Sequence, residues 1–499
     1  MIREENIRLI FGLKVKQLRE AKQFSLAALS KLSGLSASYL NEIEKGKKYP
    51  KTEKIIALAN ALDINYNELI SLELPPKLEK LGDLLTSNLI TDLPLDMFGL
   101  DFGRMIEWMT NDPVKFGAFI GTITEIARKY DLEKEHFYFA ALRSYQEFHD
   151  NYFQELEDGV DFFIEKYQVD TQNLHYEFFE NILKQKFNYK IQNFSPEKYP
   201  ALADVRYVFL PDGKKNYLFL NPRLNFHQKS FVIGREITFN ILKATDRPQV
   251  SVMITVPSFE HVLNNFKASY CTAALLIPRQ RILDKLKDWL AQKEWNATYF
   301  MEMMAEFPVS SELFLFRLAS MLPKFFGIND LYLLRFQHHT ESDHFDLTRE
   351  LHLSDLQRPL GTEMLQHYCR RWVSIKTLQA LQQAQNGNNA TAQTNIQVQR
   401  SKFMDTGDEF LNISVARTMD PTPFTNSSAT LGLKLNDELR RQLRFYNDAA
   451  IPQVQVNHTC ETCPITDCKE RVAPSSIFEE EQQNQRIKVA IQKLSGELP

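Results

Sequence analysis

At 499 residues the chain is too long for one ordinary hydrophobic core, so three or four domains are expected. Its 43% hydrophobic and 24% charged residues are those of a globular protein, and its best apolar stretch, Phe314 to Ile328, is broken by Arg317, Pro323 and Lys324, which excludes a membrane-spanning helix there. The net charge of -4 excludes a surface basic all over, yet residues 1–72 carry 12 Lys and Arg against 8 Asp and Glu, while the remainder carries 47 against 55. A small basic head on an acidic body binds phosphates locally and resists non-specific contact elsewhere. The opening MIREENIRLIF lacks the order of a signal peptide, so a cytoplasmic location is expected. Five cysteines, three of them crowded near the C-terminus, suit a metal or redox site better than a disulfide framework.

Residues 1–72 read as a helix-turn-helix domain. Ile7, Leu9, Ile10, Leu13, Val15 and Leu18 form the apolar face of a first helix flanked by Lys14, Lys16, Arg19 and Lys22. Ser25 caps a second helix whose core side is Leu26, Leu29 and Leu32; Gly34 supplies the left-handed turn residue and Leu35 plugs the space between helices. Ser36 then caps Ala37 to Glu44, in which Tyr39, Leu40 and Ile43 point inward. That leaves Ala37, Ser38, Asn41 and Glu42 toward a DNA major groove. Asn pairs bidentately with adenine, Glu accepts from cytosine, and Ala or Ser touches a thymine methyl. Lys45, Lys47 and Lys48 beside Gly46 are placed for phosphate contact, together with Ser36 at the helix start. Thr52 to Leu62 and Tyr66 to Ile70 complete five helices; the competing reading is a small helical domain with an unrelated basic loop. The run EIEKGKKYPKTEKIIALANALDINYNEL resembles the xenobiotic-response-element class of helix-turn-helix regulators over residues 7–70, which implies a double-stranded DNA operator as partner. In one departure, Leu26 or Ala27 stands where that class often has a phosphate-touching Gln.

Leu74-Pro75-Pro76 ends the head, and residues 73–135 are expected as a helical connector. From Phe137 to Ile164, Phe137, Ala141, Tyr145, Phe148, Tyr152 and Leu156 recur at helix spacing as a packing stripe. VRYVFLPDGKKNYLFLNP predicts a hairpin, with Val205 to Leu210 and Tyr217 to Leu220 joined through Asp212-Gly213. The following FHQKSFVIGREITFNILK (226–243) and FKASYCTAALLIP (266–278) resemble two helices of the ImmA/IrrE-type zinc metallopeptidase domain, expected over residues 136–325. The resemblance puts the two zinc-binding His at Arg235 and Phe239 and the third ligand at Lys267; only the general base is kept, as Glu236. Arg, Phe and Lys hold no Zn²⁺, so the module is expected to be degenerate and the chain not an enzyme. Arg235 and Lys267 either receive an anion, such as a carboxylate or coenzyme phosphates, or pair with Glu236 and fill the cavity.

Residues 326–475 are expected to form a C-terminal sensor domain. Leu331 to Gln337, Glu409 to Arg417 and Thr430 to Leu435 read as strands, Asp437 to Phe445 as a helix, and the Gln/Asn-rich run 381–395 as a flexible insertion. HYCRRWVS (367–374) gathers His, Cys, two Arg and Trp. VNHTCETCPITDCKERVAP (456–474) holds Cys460, Cys463 and Cys468 beside His458, where a structural metal, an iron–sulfur cluster, redox thiols and plain buried cysteines are all compatible with the spacing. Cys369 is an alternative to His458 as a fourth ligand. Residues 476–499 read as a polar tail.

The order of these segments resembles the short-chain fatty acyl transcriptional regulators. The resemblance implies that the C-terminal region senses coenzyme A thioesters or related acyl metabolites. Arg370 and Arg371 would then meet phosphates and Trp372 would stack on adenine; alternatively the arginines pair with acidic partners and Trp372 sits in the core. The expected fold is multidomain and mainly α: a five-helix head, a degenerate zincin-like α+β module and a C-terminal α+β domain. The expected function is a cytoplasmic, homodimeric, metabolite-responsive transcription regulator without membrane contact. The alternatives are a DNA-tethered metallopeptidase that cleaves a repressor, and a redox or metal sensor built on the C-terminal cysteines.

Overall fold

A computed structural model of the chain describes residues 4–74, 134–213, 215–251, 256–353, 367–386, 393–419, 421, 422 and 424–496. The predicted connector at 73–135 lies almost wholly outside these residues. The chain is multidomain, with a helical head and sheet-containing α+β parts. It divides into two compact units, residues 1–145 with 256–263, and residues 146–255 with 264–499.

The head has the five predicted helices: α1 (Glu4–Ala21), α2 (Leu26–Ser33), α3 (Ala37–Glu44), α4 (Thr52–Leu62) and α5 (Tyr66–Ile70). Phe11, Val15, Leu29, Leu40, Ile43, Ile55, Leu58, Leu62 and Leu69 make its core, with Leu26 and Leu35 packed against it. Leu32, expected in that core, is 58% exposed. In a helix of two turns, Leu29 and Ser33 occupy the inward stripe and Leu32 falls beyond its edge. Lys14, expected on a basic flank, is buried, and its ammonium donates to Glu68 O (2.9 Å) and to Ser71 O and Oγ (both 2.7 Å). It thereby satisfies carbonyls at the end of α5. Burial lowers the Lys14 pKa from its ordinary value.

The stripe expected from Phe137 to Ile164 is two helices, α6 (Lys134–Phe148) and α7 (Gln154–Tyr167). They are separated by Asp150 and Asn151, both at positive φ (49° and 51°). Asn and Asp tolerate that conformation, so aromatic spacing alone did not show the break. A three-stranded sheet follows, β1 (Tyr189–Asn193), β2 (Tyr207–Asp212) and β3 (Lys215–Leu220). The predicted hairpin β2–β3 is flanked by β1, parallel to β3. Then come α8 (Tyr176–Lys186, before β1), α9 (Phe226–Ile241), α10 (Phe259–Leu276), α11 (Arg279–Leu290), α12 (Ala297–Ala305) and α13 (Ser311–Phe326).

The larger sheet contains β4 (Leu331–His339), β5 (Asp346–His352), β6 (Thr394–Phe403), β7 (Glu409–Thr418), β8 (Thr425–Lys434) and β9 (Gln453–Val456), in the order β5-β4-β8-β7-β6-β9. Only β9 joins its neighbour in parallel. Helix α14 (Val373–Asn386) packs on β6, β7 and β8, closing a core that includes Phe336, Trp372, Ile375, Leu378, Phe403 and Phe410. Helix α13 packs on β4, β7 and β8. Two shorter helical pieces, α15 (Asp437–Gln442) and a 3-10 turn at Arg444–Asn447, replace the single helix expected from Asp437 to Phe445.

The Gln/Asn-rich run differs from expectation at both ends. Leu381 to Asn386 complete α14 and Thr394 begins β6, leaving 387–392 outside the described residues. Gln382 Nε2 donates to Thr340 O (2.7 Å), and Asn426 Nδ2 donates to Gln385 Oε1 (2.9 Å). Amides that read as solvated in sequence thus satisfy polar groups at the sheet margin. The expected polar tail is a helix, α16 (Ser476–Gly496), with Ile487, Ile491 and Leu494 exposed.

A buried ion pair joins three helices of the body. Arg317 on α13 grips Glu157 on α7 through two contacts, one of them Nη2 to Oε2 at 2.9 Å. Tyr270 on α10 donates its hydroxyl to Glu157 Oε1 at 2.8 Å. Burial alone would raise the Glu157 pKa, but the adjacent guanidinium outweighs it and the net shift is downward. Arg317→Ala should therefore destabilise the body by about 3–5 kcal/mol in urea unfolding, because it strands a buried carboxylate; Arg317→Met combined with Glu157→Gln should lose less. A carboxylate with a depressed folded pKa stabilises above its ordinary value of 4.5 and loses that contribution as pH falls through the folded value. The urea midpoint of the wild type should fall on acidification below about pH 4.5, and that slope should be shallower in the double variant, which lacks the Glu157 contribution.

Candidate nucleic-acid interface

The geometry of α3 is set by its ends and by one close contact. Ser36 Oγ accepts from Tyr39 N (3.2 Å), and Ser25 Oγ caps α2 by accepting from Ala28 N (3.0 Å). Gly34 between them adopts φ 70°, the left-handed value that makes the turn. A Cβ on Gly12 would lie 2.2 Å from Ile43 O, so α1 and α3 approach each other backbone to backbone. Arg19 on α1 locks that approach with a fork onto Glu44 at the end of α3, Nε–Oε1 2.6 Å and Nη2–Oε2 2.9 Å. Its Nη1 donates to Phe24 O at 2.9 Å, fixing the loop before α2. Arg19, expected on a basic flank, is thus a structural clamp, and its pKa is raised by the hydrogen bond to Glu44. EIEKG in the sequence holds this second acid, but only packing separates buried Glu44 from outward Glu42.

Four predicted base readers share the outer side of α3. Ser38 and Asn41 are exposed; Ala37 and Glu42 are half-buried. Glu42 pairs with Lys48 at 3.2 Å, which orients the carboxylate and places a cation beside it. Lys47 and Lys48 are exposed, whereas Lys45 is half-buried as the C-cap residue of α3. Gly46 turns the chain at φ 67°, where an added Cβ would stand 3.0 Å from Leu9 Cγ. Tyr39, expected inward, is half-buried with Lys54 over its ring at 4.3 Å. Lys54 therefore adds a cation to the flank of α3, a role with no signal in the sequence beyond its charge. At the departure noted above, Ala27 is exposed and Leu26 partly buried in the core.

The remaining predicted site residues occupy two regions of the body. Glu236 on α9 is 1% exposed; its Oε2 meets Arg247 Nη2 at 2.5 Å and accepts from Tyr189 OH at 2.9 Å. The partner anticipated from sequence was Arg235 or Lys267, and the structure corrects that. Arg235 instead donates to Asn265 Oδ1 and stacks on Phe239 (5.1 Å), and Lys267 is half-buried on α10. Arg247, missed by sequence reasoning because it follows the helix, also lies over Phe209 (3.7 Å) and Phe239 (4.2 Å). Phe239, at a ligand position of the resemblance, thus packs against guanidiniums.

Near the larger sheet, Trp372 is 6% exposed, donates Nε1–H to Asn457 O (2.8 Å) and is ringed by Phe336, Tyr368, Phe403 and His458. Of the two readings for Trp372, this placement is that of a core residue. Arg370 donates to Asp343 O (2.7 Å) and stacks on Phe345, while the half-buried Arg371 makes no side-chain hydrogen bond or ion pair among the described residues. Cys369, Cys460 and Cys463 are buried and Cys468 half-buried. Burial pushes the Cys369 thiol up, reinforced by its neighbours Cys463 and Cys460. His458 turns to Asp405, with Nε2 3.2 Å from Oδ2, and its burial lowers the imidazole pKa. Among the described residues no three His, Cys, Asp or Glu side chains are grouped closely enough to hold a metal ion. The loop is braced by Arg471, which donates to Cys460 O (2.8 Å), Cys463 O (3.2 Å), Ile465 O (2.5 Å) and Ala473 O (3.2 Å).

A capped, outward-facing α3 following a tight turn, with lysines past its end, defines a DNA-binding domain of the helix-turn-helix class. The helix-turn-helix family model matches residues 15–69, so the chain carries a DNA-binding helix-turn-helix domain over those residues. Similar solved structures include a Mycobacterium tuberculosis transcriptional regulator, 16% identical, covering 68% of this chain and 93% of that one, with a TM-score of 0.47. The restriction-modification controller protein C.AhdI from Aeromonas hydrophila is 40% identical, covering 12% of this chain and 94% of that one, with a TM-score of 0.12. The apo form of the competence regulator ComR from Streptococcus vestibularis is 17% identical, covering 60% and 78%, with a TM-score of 0.13. No protein of curated function matches the chain. Among the described residues no helix is long and apolar enough to cross a membrane.

Asn41→Ala should cost about 1–3 kcal/mol of binding to a selected operator and relax preference at one base pair, with the melting temperature unchanged because Asn41 is exposed. Lys47→Ala should weaken binding to all sequences and reduce the slope of log affinity against log salt by about one. Fluorescence anisotropy over a salt series checks both.

Proposed function

We propose that the chain is a cytoplasmic, homodimeric transcription regulator whose operator affinity is set by a small acyl metabolite, a short-chain acyl-coenzyme A thioester or a related fatty-acid metabolite. The observation that carries the DNA-binding part is the outer side of α3, where Ser38 and Asn41 stand exposed between a capped helix start and Lys47–Lys48. One such helix reads one half-site, so a two-fold partner is needed for a specific operator. A body several times larger than the head is more than DNA binding requires, which supports a second, ligand-dependent role. Its peptidase-like module is read as non-catalytic. Arg235, Phe239 and Lys267 stand where zinc ligands would, and the Glu236 carboxylate is held by Arg247 and Tyr189 rather than left to activate water.

The ligand acts by binding more tightly to one arrangement of the two heads than to the other; equal affinity for both would shift nothing. A differential of about 1–3 kcal/mol changes operator affinity between about 5- and 150-fold. Binding-site selection with the purified full chain, followed by operator titration with a panel of acyl-coenzyme A thioesters, tests the proposal. An enriched two-fold symmetric site whose affinity changes at least about fivefold with one thioester is expected. Failure to enrich any sequence overturns the DNA-reading role of α3. An enriched site with a flat response to every thioester overturns the acyl-sensing role alone.

A further inference from the structure

On the face of the larger sheet that meets α13, charge is not matched one to one. Arg349 on β5 stands directly opposite Arg335 on β4, Arg335 is opposite Ala429 on β8, and Ser427, two residues earlier on β8, is opposite Arg417 on β7. Side chains alternate faces along a strand, so these registers put three guanidiniums on one face across four strands. Arg335 Nε donates to Ser427 Oγ at 3.3 Å, bridging that row. Glu312, in the first turn of α13, faces all three: Oε2 is 3.4 Å from Arg335 Nε and 4.0 Å from Arg417 Nη2, and Oε1 is 3.6 Å from Arg349 Nη1.

A fourth guanidinium, Arg206, enters from the segment before β2. Burial and then the nearby Arg417 depress its pKa to about 10, and it feels the field of Glu312 and Arg335 as well. Burial would raise the Glu312 carboxyl, but Arg335, Arg349, Arg417 and Arg206 hold it down at about 2. Among the described residues, Arg335 and Arg349 have no ion-pair partner but Glu312, and Arg206 has none. One negative charge therefore faces at least three positive ones, before Arg417 is counted. Like charges directly opposite on neighbouring strands are destabilising. A structural tie between α13 and the sheet needs one arginine for one glutamate; the surplus positive charge is not needed for that tie. The site is also open: the side chains of Arg335, Arg417 and Glu312 are 19%, 17% and 20% exposed, and that of Arg349 is 38% exposed. Arg349 stacks on Phe316, one turn along α13, which holds its fork in place beside Glu312.

We propose that Arg206, Arg335, Arg349 and Arg417 form a binding site for a small polyanion carrying two or more phosphoryl or carboxylate groups, with Glu312 as the internal counter-charge that keeps the arginines aligned when no ligand is bound. Guanidinium forks bind such planar or tetrahedral oxyanions bidentately, and the positive end of α13 adds to the field. This site is separate from Arg235, Lys267, Arg370 and Arg371, the residues singled out in sequence. Binding there does not depend on the DNA-regulator reading and is measured without DNA.

The test is isothermal titration of the full chain with inorganic pyrophosphate and, in a second arm, with citrate, using wild type, Arg206→Gln, Arg335→Gln and Glu312→Gln. Thermal unfolding of each variant, without ligand, establishes that it is folded. The proposal expects at least one of the two anions to bind wild type, about tenfold or more weakening in Arg206→Gln, and tighter binding in Glu312→Gln, where the internal competitor is neutral. Pyrophosphate against citrate tells a phosphoryl ligand from a carboxylate one. Arg206→Gln removes a guanidinium that makes no ion pair, so it isolates ligand binding from the tie between α13 and the sheet. No binding of either anion to folded wild type and Glu312→Gln overturns the site, as does binding that Arg206→Gln and Arg335→Gln both leave unchanged.

Discussion

Burying a charge without a partner costs several kcal/mol, and the buried charges of this molecule are arranged around that cost. Glu44 meets Arg19 in the head; Glu157 meets Arg317 in the body; Glu236 meets Arg247 beside β1 and β2. Two of the pairs tie together elements distant in sequence, α1 to α3 and α7 to α13, and the third ties α9 to the segment that follows it. In each, a further hydrogen bond uses what the pair leaves over: Phe24 O on Arg19, Tyr270 on Glu157, Tyr189 on Glu236. Against this regularity the arginine surplus around Glu312 stands out as the exception. An electrostatic excess maintained on a packed face is where a ligand's charge is expected to supply the balance.

In the head the same pairing serves function. The fork between Arg19 and Glu44, together with the backbone approach at Gly12, sets α3 against α1 and so decides which of its residues face outward. Ser38 and Asn41 are presented because Leu40 and Ile43 are pinned in the core. In the proposed function, affinity comes from lysines at the rim and specificity from the short polar side chains of α3, a division in which phosphate contacts position and base contacts discriminate.

In the body, α9 is held by aromatic and charged contacts along one side. Phe239 on α9 has both Arg235 and Arg247 over its ring, and the Glu236 carboxylate is engaged by Arg247 and Tyr189. Around the larger sheet, Trp372 and Arg370 are structural, one closing the core under α14 and the other crossing to the turn at Asp343. The cysteine loop is shaped by Arg471, which draws four carbonyls inward.

Much of the head was legible from local signals alone. Ser25, Gly34 and Ser36 act within three or four residues of themselves, and the spacing of Leu29, Leu40, Ile43 and Leu58 states an inward face. The hairpin β2–β3 and the strands β4, β7 and β8 were readable for the same reason, since turn chemistry and apolar runs are local. Other features depended on partners far along the chain. Leu32 looked like core and is exposed; Lys14 and Arg19 looked like solvent-facing bases and are clamps; Gln382 and Gln385 looked like a mobile run and brace the sheet. Charge and residue type are written in the sequence, but which charge meets which is a matter of register and packing. The sequence by itself determined that a basic helix-turn-helix precedes an acidic α+β body. Only the tertiary structure decided that Arg247 rather than Arg235 takes the Glu236 carboxylate, and that arginines 206, 335, 349 and 417 gather around one glutamate, because burial and cross-strand register, not order along the chain, decide which charges meet.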